Sequence, residues 1–100
     1  MSINDIFKAL GDPTRRGILG LLRQGDMTAG EIAERFPLAK STLSGHFNVL
    51  KHAGLIVPEK RSTTVVYSLN ASAFDEAVAA IMKLFGVGER LAPKSEEMES

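Results

Sequence analysis

Apolar residues along the first third of the chain recur every three or four positions, which is the spacing of one face of a helix. This pattern predicts a first helix over residues 3–10, ending at Gly11, and a second helix that ends near Gly25. Asp12 followed by Pro13 is typical of a helix start, because the acid accepts from free backbone N–H groups and proline has none to leave unpaired. The chain therefore begins with two short amphipathic helices.

A second pair of helices follows. Thr28 and Glu31 have the spacing of a capping box, in which each side chain accepts from the other residue's backbone N–H, and they predict a short third helix to about Phe36. A tight turn precedes a fourth helix over residues 40–52, with Gly54 as its C-terminal cap. The apolar side of this fourth helix consists of Leu43, Phe47 and Leu50.

From residue 55 onward the period changes to two, which indicates strands rather than helices. Residues 55–57 and 65–69 predict two short strands around a polar, basic tip, so this segment is expected to form a β-hairpin. Asn70 or Ser72 then caps a last helix that has a wide apolar stripe.

The predicted order of elements is helix, helix, short helix, tight turn, helix, hairpin and helix. Two helices joined by a tight turn form a helix-turn-helix unit, whose second helix lies in the major groove of DNA. The hairpin after it would be the wing. The predicted fold class is therefore mainly α, a winged helix-turn-helix with a two-stranded β-hairpin wing.

The composition describes one small domain of 100 residues, 44% of them apolar, with no cysteine. The lack of cysteine excludes disulfides, thiol nucleophiles and thiolate metal sites. No segment resembles a signal peptide or a membrane span, so we expect a soluble, cytoplasmic protein. Because so short a chain buries only about two thirds of its surface, we expect an apolar face left over for a partner subunit. Residues 1–88 are expected to form the domain, and the acidic residues 89–100 a disordered tail.

The formal net charge is zero, from 12 basic and 12 acidic side chains, but the two parts of the chain differ. Residues 1–70 contain nine basic and six acidic residues, whereas residues 71–100 contain three basic and six acidic ones. The net charges are therefore +3 and −3. A basic body with an acidic end keeps nucleic acid among the candidate partners.

The polar side of the fourth helix is the main indication of function, because it carries no carboxylate. A solvated helix start usually carries Asp or Glu, which complement the helix dipole, whereas a carboxylate would repel DNA phosphates. Short hydroxyl side chains and Gly45 would let this helix approach the bases closely. The candidate base-edge contacts are Ser41, Thr42, Ser44 and His46.

Basic and polar residues around this helix are candidates for contacts with DNA phosphates. Two of them lie at the tip of the predicted wing, where cations and hydroxyls reach the DNA backbone or a minor groove. The phosphate candidates are Lys40, Asn48, Lys51, Lys60, Arg61 and Thr28. Arg15 and Arg16 are weaker candidates, because an arginine at a helix start also pairs readily with an acid such as Asp12.

The two histidines do not form a metal motif. His46 and His52 are six residues apart in one helix, so they point to different faces and do not chelate one ion. His52 is better interpreted as a partner for the C-terminal end of that helix. A metal site built only from Asp and Glu oxygens stays open.

Two other classes of function remain open on the residues alone. One is a protein-interaction module or anti-activator that keeps the fold and binds protein through the last helix. The other is an enzyme, which the sequence disfavours because it contains no paired carboxylates, no nucleophile with a base and no phosphate-binding glycine loop. We expect neither catalysis nor a cofactor.

Three segments resemble one known family. They are DPTRR at residues 12–16, EIAERF at residues 31–36 and KSTLSGHFNVLKHAGLI at residues 40–56, and they closely resemble the ArsR/SmtB winged-helix repressors. The wing exit VYSLN, residues 66–70, is similar to the SdpR-like branch of that family. The resemblance covers about residues 3–86. It implies a homodimeric repressor that binds double-stranded operator DNA, with near-palindromic sequence, through the fourth helix and the wing.

The resemblance also implies that subunits pair through their first and last helices. In this chain, these two helices carry apolar residues that are left over for a partner subunit. The candidate interface residues are Ile3, Ile6, Phe7, Leu10, Phe74, Val78, Ile81, Met82 and Phe85. Metal-sensing members carry a cysteine pair on the third helix, or histidines and acids on the last one. This chain has DMTAG at residues 26–30 and no histidine in the last helix, so we expect no metal response. A non-metal ligand stays open.

Overall fold

The computed structural model describes residues 2–86, which form five helices and a three-stranded antiparallel sheet. The helices are α1 (Ile3–Leu10), α2 (Pro13–Leu22), α3 (Ala29–Ala33), α4 (Lys40–His52) and α5 (Ala71–Phe85). The strands are β1 (Met27–Thr28), β2 (Ile56–Arg61) and β3 (Thr64–Leu69). The predicted mainly α fold with a hairpin wing is confirmed. The predicted disordered tail, residues 89–100, and the last two residues of the predicted domain lie outside the described residues.

The predicted starts of α2, α3 and α5 and the predicted end of α4 are present, whereas α2 ends at Leu22, before Gly25. The Asp12 side chain accepts a hydrogen bond from the α2 backbone at 3.1 Å, and that of Asn70 accepts one from the α5 backbone at 3.2 Å. Thr28 and Glu31 form the expected capping box at the start of α3. Gly54 follows α4 with a left-handed φ of 78°, which suits a glycine cap. Local chemistry therefore determines where these helices begin and end.

The wing is longer than its apolar residues predict. β2 and β3 pair along their whole length, so that only Ser62 and Thr63 remain for the turn. Ser62 has a φ of 59°, the left-handed conformation that a two-residue hairpin turn requires. The segment predicted as a polar tip is mostly strand, because β2 beyond Ile56 is exposed and needs no apolar alternation.

A third strand, β1, was not predicted. Met27 lies opposite Tyr67 and Thr28 opposite Val66, which gives the strand order β1-β3-β2. Two residues are too few to show a period of two in the sequence. This pairing attaches the wing directly to the start of α3.

The third helix is shorter than predicted, because α3 ends at Ala33 and Phe36 lies in the turn beyond it. The Phe36 ring packs against α2 at Gly17, where an added Cβ would lie 3.2 Å from two ring carbons. A glycine at this position therefore lets the turn before α4 pack closely against α2.

The core lies among α1, α2, α3, α4 and the base of the sheet. Its largest fully buried side chains are Ile6, Ile18, Ile32, Leu50 and Leu55. Ile6, which we expected at the dimer interface, is only 1% exposed. It packs inside the subunit and has almost no surface to offer a partner, so the expected interface has to be corrected at this position.

Apolar surface remains on α1 and α5, which pack against each other. Five of the seven large apolar side chains that are exposed within residues 2–86 lie on these two helices. We call this set the apolar face: Ile3, Phe7, Val78, Leu84 and Phe85. Four other predicted interface residues are half-buried, namely Leu10, Phe74, Ile81 and Met82. None of the helices within residues 2–86 is long and apolar enough to cross a bilayer.

Candidate nucleic-acid interface

The turn between α3 and α4 is compact and brings the two helices into a helix-turn-helix. The Leu38 N–H donates to the Phe36 carbonyl at 2.8 Å inside this turn. Ala39 occupies the N-cap position of α4 and makes no side-chain cap bond. The first N–H groups of α4 are therefore not occupied by a capping side chain.

α4 divides into an apolar side and an exposed polar side, as predicted. Leu43, Phe47 and Leu50 are buried. Seven predicted DNA contacts are exposed on this helix: Lys40, Ser41, Thr42, Ser44, Gly45, Asn48 and Lys51. None of the thirteen residues of α4 is acidic. A Cβ added at Gly45 would meet nothing within 4 Å, so the backbone is open to a partner there.

His46 is the exception among the predicted contacts on α4. Its side chain is only 15% exposed and is turned toward α2. Nδ1 lies 3.1 Å from Nη1 of Arg15, and Nε2 lies 3.9 Å from Oδ2 of Asp12. The structure therefore places His46 in a polar cluster beside the exposed face of α4.

Arg15 belongs to the same cluster and does not form the side-chain pair with Asp12 that the sequence suggested. Its Nε donates to the Ala9 carbonyl at 3.0 Å, and its Nη2 donates to the Lys8 carbonyl at 2.6 Å. Both carbonyls lie at the end of α1. Arg16 acts similarly, since its Nη1 donates to the Leu10 carbonyl at 2.7 Å. The two guanidinium groups therefore bind carbonyls in the last turn of α1, of which that of Lys8 also accepts the Gly11 N–H at 3.3 Å.

Two opposing effects act on the pKa of the Asp12 carboxyl group. Partial burial alone would raise the pKa of Asp12. The opposing effects are larger and hold the pKa of Asp12 below its ordinary value. They are hydrogen bonds from the backbone of Arg15 and Thr14, the neighbouring His46 and the Arg15 cation. Asp12 is therefore a carboxylate at neutral pH.

On the wing, Lys60 and Arg61 are exposed as expected, but Arg61 is paired within its own strand. Its Nε donates to Oε1 of Glu59 at 3.0 Å, and its Nη2 donates to Oε2 at 3.4 Å. These hydrogen bonds lower the pKa of Glu59 and raise that of Arg61. This competitor was not predicted, although the spacing of two residues along a strand places both side chains on one face.

Thr28 lies at the junction of α3 and the wing. Its hydroxyl accepts from the Glu31 N–H at 3.0 Å, and the Glu31 carboxylate accepts from the Thr28 N–H at 2.9 Å. Hydrogen bonds from the backbone and the side chain of Thr28 to the Glu31 carboxylate lower the pKa of Glu31. An open groove connects Thr28 to Thr63 and Thr64 at the wing turn.

His52 lies on a different part of α4. Its imidazole is 79% exposed and its Nε2 is 3.7 Å from Oδ2 of Asp5 on α1. Its observed partner is therefore this carboxylate, rather than the end of its own helix. Across residues 2–86, no group of three or more His, Asp or Glu side chains is arranged to hold a metal ion.

Comparison with known proteins identifies similar chains. Residues 10–59 match the model of a helix-turn-helix domain. The chain is 41% identical over 87 residues to the transcriptional repressor SdpR of Bacillus subtilis (strain 168), and this match covers 87% of this chain and 97% of that protein.

Two solved structures have a similar fold. A crystal structure of an ArsR family transcriptional regulator has a TM-score of 0.76 at 31% identity, covering 86% of this chain and 94% of that one. A possible transcriptional regulator for arsenical resistance has a TM-score of 0.75 at 29% identity, covering 88% and 94%. Both structures match more of this chain than the helix-turn-helix model, which covers only residues 10–59. The similarity therefore extends beyond the helix-turn-helix to the flanking helices.

Proposed function

The chain belongs to the ArsR/SmtB-type helix-turn-helix transcriptional regulators, and we propose that it is a homodimeric repressor of a near-palindromic operator. It is a DNA-binding regulator rather than an enzyme. A role on chromosomal DNA also implies a cytoplasmic location.

The exposed side of α4 is the observation that supports this proposal. It offers hydroxyls, an amide and two amines, has no acidic residue, and lies beside a wing that carries two further cations. Phosphates and base edges accept hydrogen bonds from such groups, whereas a carboxylate would be repelled. We therefore assign α4 as the recognition helix.

The contacts divide into two sets. Ser41, Thr42 and Ser44 read base edges, and Gly45 lets the helix backbone come close. Lys40, Asn48, Lys51, Lys60, Arg61 and Thr28 contact phosphates. His46 is left out of the base contacts, because its ring is mostly covered and faces Arg15.

The apolar face on α1 and α5 supports pairing with a second copy. Phe85 is 66% exposed, and Ile3, Phe7 and Val78 are each more than a third exposed. Burying such side chains removes apolar surface from water and stabilises a dimer. A two-fold dimer places its two recognition helices about 34 Å apart, in successive major grooves of one DNA face.

We propose that this regulator does not respond to metal ions. The chain has no cysteine, and its two histidines are six positions apart on α4 with different neighbours. Zn²⁺ or Ni²⁺ should leave the DNA complex intact at concentrations that saturate metal-sensing proteins. Release of DNA by either ion would contradict this part of the proposal.

The test begins with selection of bound duplexes from a random DNA library. We expect enrichment of near-palindromic sequences with half-sites about one helical turn apart. Fluorescence anisotropy over a salt series then measures affinity, which should fall as salt rises, because bound phosphates release counterions. Failure to enrich any sequence, or an affinity for DNA that does not depend on salt, would reject the proposed function.

A further inference from the structure

Arg15 connects the end of α1 to the recognition helix through a single guanidinium group. Two of its nitrogens hold the carbonyls of Lys8 and Ala9, and the third lies 3.1 Å from Nδ1 of His46. α1 contributes to the apolar face, while α4 bears the proposed base contacts. The link therefore lies between subunit pairing and DNA contact.

The hydrogen-bonding chemistry of this link determines which nitrogen of the His46 imidazole carries the proton. A guanidinium has only N–H donors, so Nδ1 of His46 has to be the acceptor. The ring proton then resides on Nε2, on the side where Oδ2 of Asp12 lies 3.9 Å away. Protonation of the ring would add an N–H at Nδ1, which would then face the N–H donor of Arg15 with no acceptor between them. The Arg15 contact would then have to open.

We propose that Arg15 and His46 are positioning residues that hold the recognition helix in its DNA-binding orientation only while the His46 imidazole is neutral. This inference rests on the proposed function, since it concerns how α4 is presented to DNA. Two recognition helices must enter successive grooves together, so a small rotation of α4 in each subunit weakens both half-site contacts.

Two charged groups face the ring within the described residues, and their effects are opposite. The Arg15 cation, from α2, disfavours an imidazolium, whereas the Asp12 carboxylate, from the α2 N-cap, favours it. From α1, the groups in this cluster are the Lys8 and Ala9 carbonyls bound to Arg15. The Asp5 carboxylate of α1 lies against His52 instead.

The direction of the pH effect separates this role from simple electrostatics. Adding positive charge to a DNA-binding surface strengthens binding, so ordinary protonation of a histidine tightens the complex. Loss of the Arg15 contact would instead weaken DNA binding. We therefore expect specific affinity to fall about tenfold on acidification from about pH 8 to about pH 5.5.

Two substitutions of His46 distinguish its two nitrogens. His46→Asn keeps an acceptor near the position of Nδ1 and does not titrate, whereas His46→Gln places its amide near the position of Nε2. Relative to His46→Ala, Asn should restore most of the affinity and remove the pH dependence, while Gln should restore little. His52→Asn removes the other histidine of α4 and should leave the pH profile unchanged.

The experiment measures anisotropy of a duplex selected at pH 8, with the wild type and these four variants, at constant salt from pH 8 to 5.5, about the range over which histidine titrates. Thermal unfolding at each pH ensures that only folded protein is compared. Rescue by Gln rather than Asn, altered base preference in His46→Ala, or tighter wild-type binding in acid would overturn the inference. Absence of DNA binding at every pH would instead reject the proposed function.

A second measurement does not depend on DNA. Nitrogen NMR of the imidazole at pH 8 should show the tautomer protonated at Nε2 for His46, and its Nδ1 signal should change in Arg15→Lys, which loses the planar donor. Observation of the Nδ1–H tautomer in the wild type would overturn the inference, even if the DNA measurements agreed with it.

Discussion

Phe47 of α4 stacks on Tyr67 of β3, with ring centroids 4.4 Å apart and ring planes at 26°. Phe47 is only 6% exposed and Tyr67 only 7%. The pair joins the two elements that we propose to contact DNA, so it contributes to the packing of the wing against α4.

Removing one ring of this stack should destabilise the protein. Tyr67→Ala deletes a large buried side chain and its aromatic contact, and we expect the free energy of unfolding to fall by about 3 kcal/mol. Urea denaturation monitored by circular dichroism measures the change. Tyr67→Phe keeps the stacked ring and should stay close to wild type. Equal losses in both variants would assign the effect to the hydroxyl instead of the stack.

In the proposed complex, Glu59 would compete with DNA for the Arg61 guanidinium. Because Glu59 holds two of its nitrogens, Glu59→Gln should free the cation and strengthen DNA binding several-fold, most strongly at low salt. Arg61→Ala should weaken binding to all sequences and reduce the salt slope by about one. Anisotropy over a salt series measures both effects.

A matched control separates this competition from net charge. Asp75→Asn makes the same change in charge on an exposed residue of α5, away from the wing. We expect it to change DNA affinity much less than Glu59→Gln does. A similar gain in the two variants would show that only the overall charge matters.

Gly45 should make α4 less stable but allow DNA to approach the helix closely. A Cβ there has open space around it, so Gly45→Ala should stabilise α4 by about 0.5–1 kcal/mol. The same methyl would obstruct the approach of DNA, and we expect affinity to fall about tenfold, the size of one lost base contact. Gly20, on the exposed side of α2, is equally open. Gly20→Ala should give the gain in stability without the loss of affinity.

The sequence predicted what local chemistry determines. α4 begins and ends at the predicted residues, and the caps at Asp12 and Thr28 have their expected partners. These features depend on residues three or four positions apart. The exposed, acid-free side of α4 follows from the same local pattern.

Features that depend on distant residues were not predictable in the same way. His46 meets Arg15 across 31 positions, so a helical pattern that labels it polar does not show which way the ring points. Ile6 shares a stripe with Ile3 and Phe7, but only the packing of α1 against its neighbours decides which of them is buried. The pairing of β1 with β3 likewise joins segments about forty residues apart and has no period of its own.

The lowered pKa of Asp12 predicts a loss of stability in acid. A carboxyl whose pKa is lower in the folded chain stabilises the fold above its unfolded value of 3.8, and this contribution is lost as the pH falls through the folded value. Asp12→Asn keeps the helix cap but does not titrate. Wild type should therefore melt higher than Asp12→Asn at pH 7, and the difference should vanish at about pH 2. A difference that persists unchanged in acid would exclude the carboxylate as its source.

The apolar face should control both assembly and DNA affinity. Phe85→Lys places a charge where a partner subunit would bury the ring, so the dimer should dissociate at micromolar concentrations, while the subunit stays folded because Phe85 is 66% exposed. Analytical ultracentrifugation measures the association. Operator affinity should fall at least a hundredfold, because each subunit then binds its half-site alone.

Val57→Lys is the matched control for this substitution, since Val57 is 47% exposed on the wing, outside the apolar face. It should leave the dimer intact and add only a charge near DNA, so any change in affinity should be a modest gain that salt screens. Phe7→Ser tests the α1 side of the same face and should weaken association in the same direction as Phe85→Lys. Dimers of normal stability in both variants would move the subunit interface to a different surface, because neither aromatic ring would then be buried by the partner.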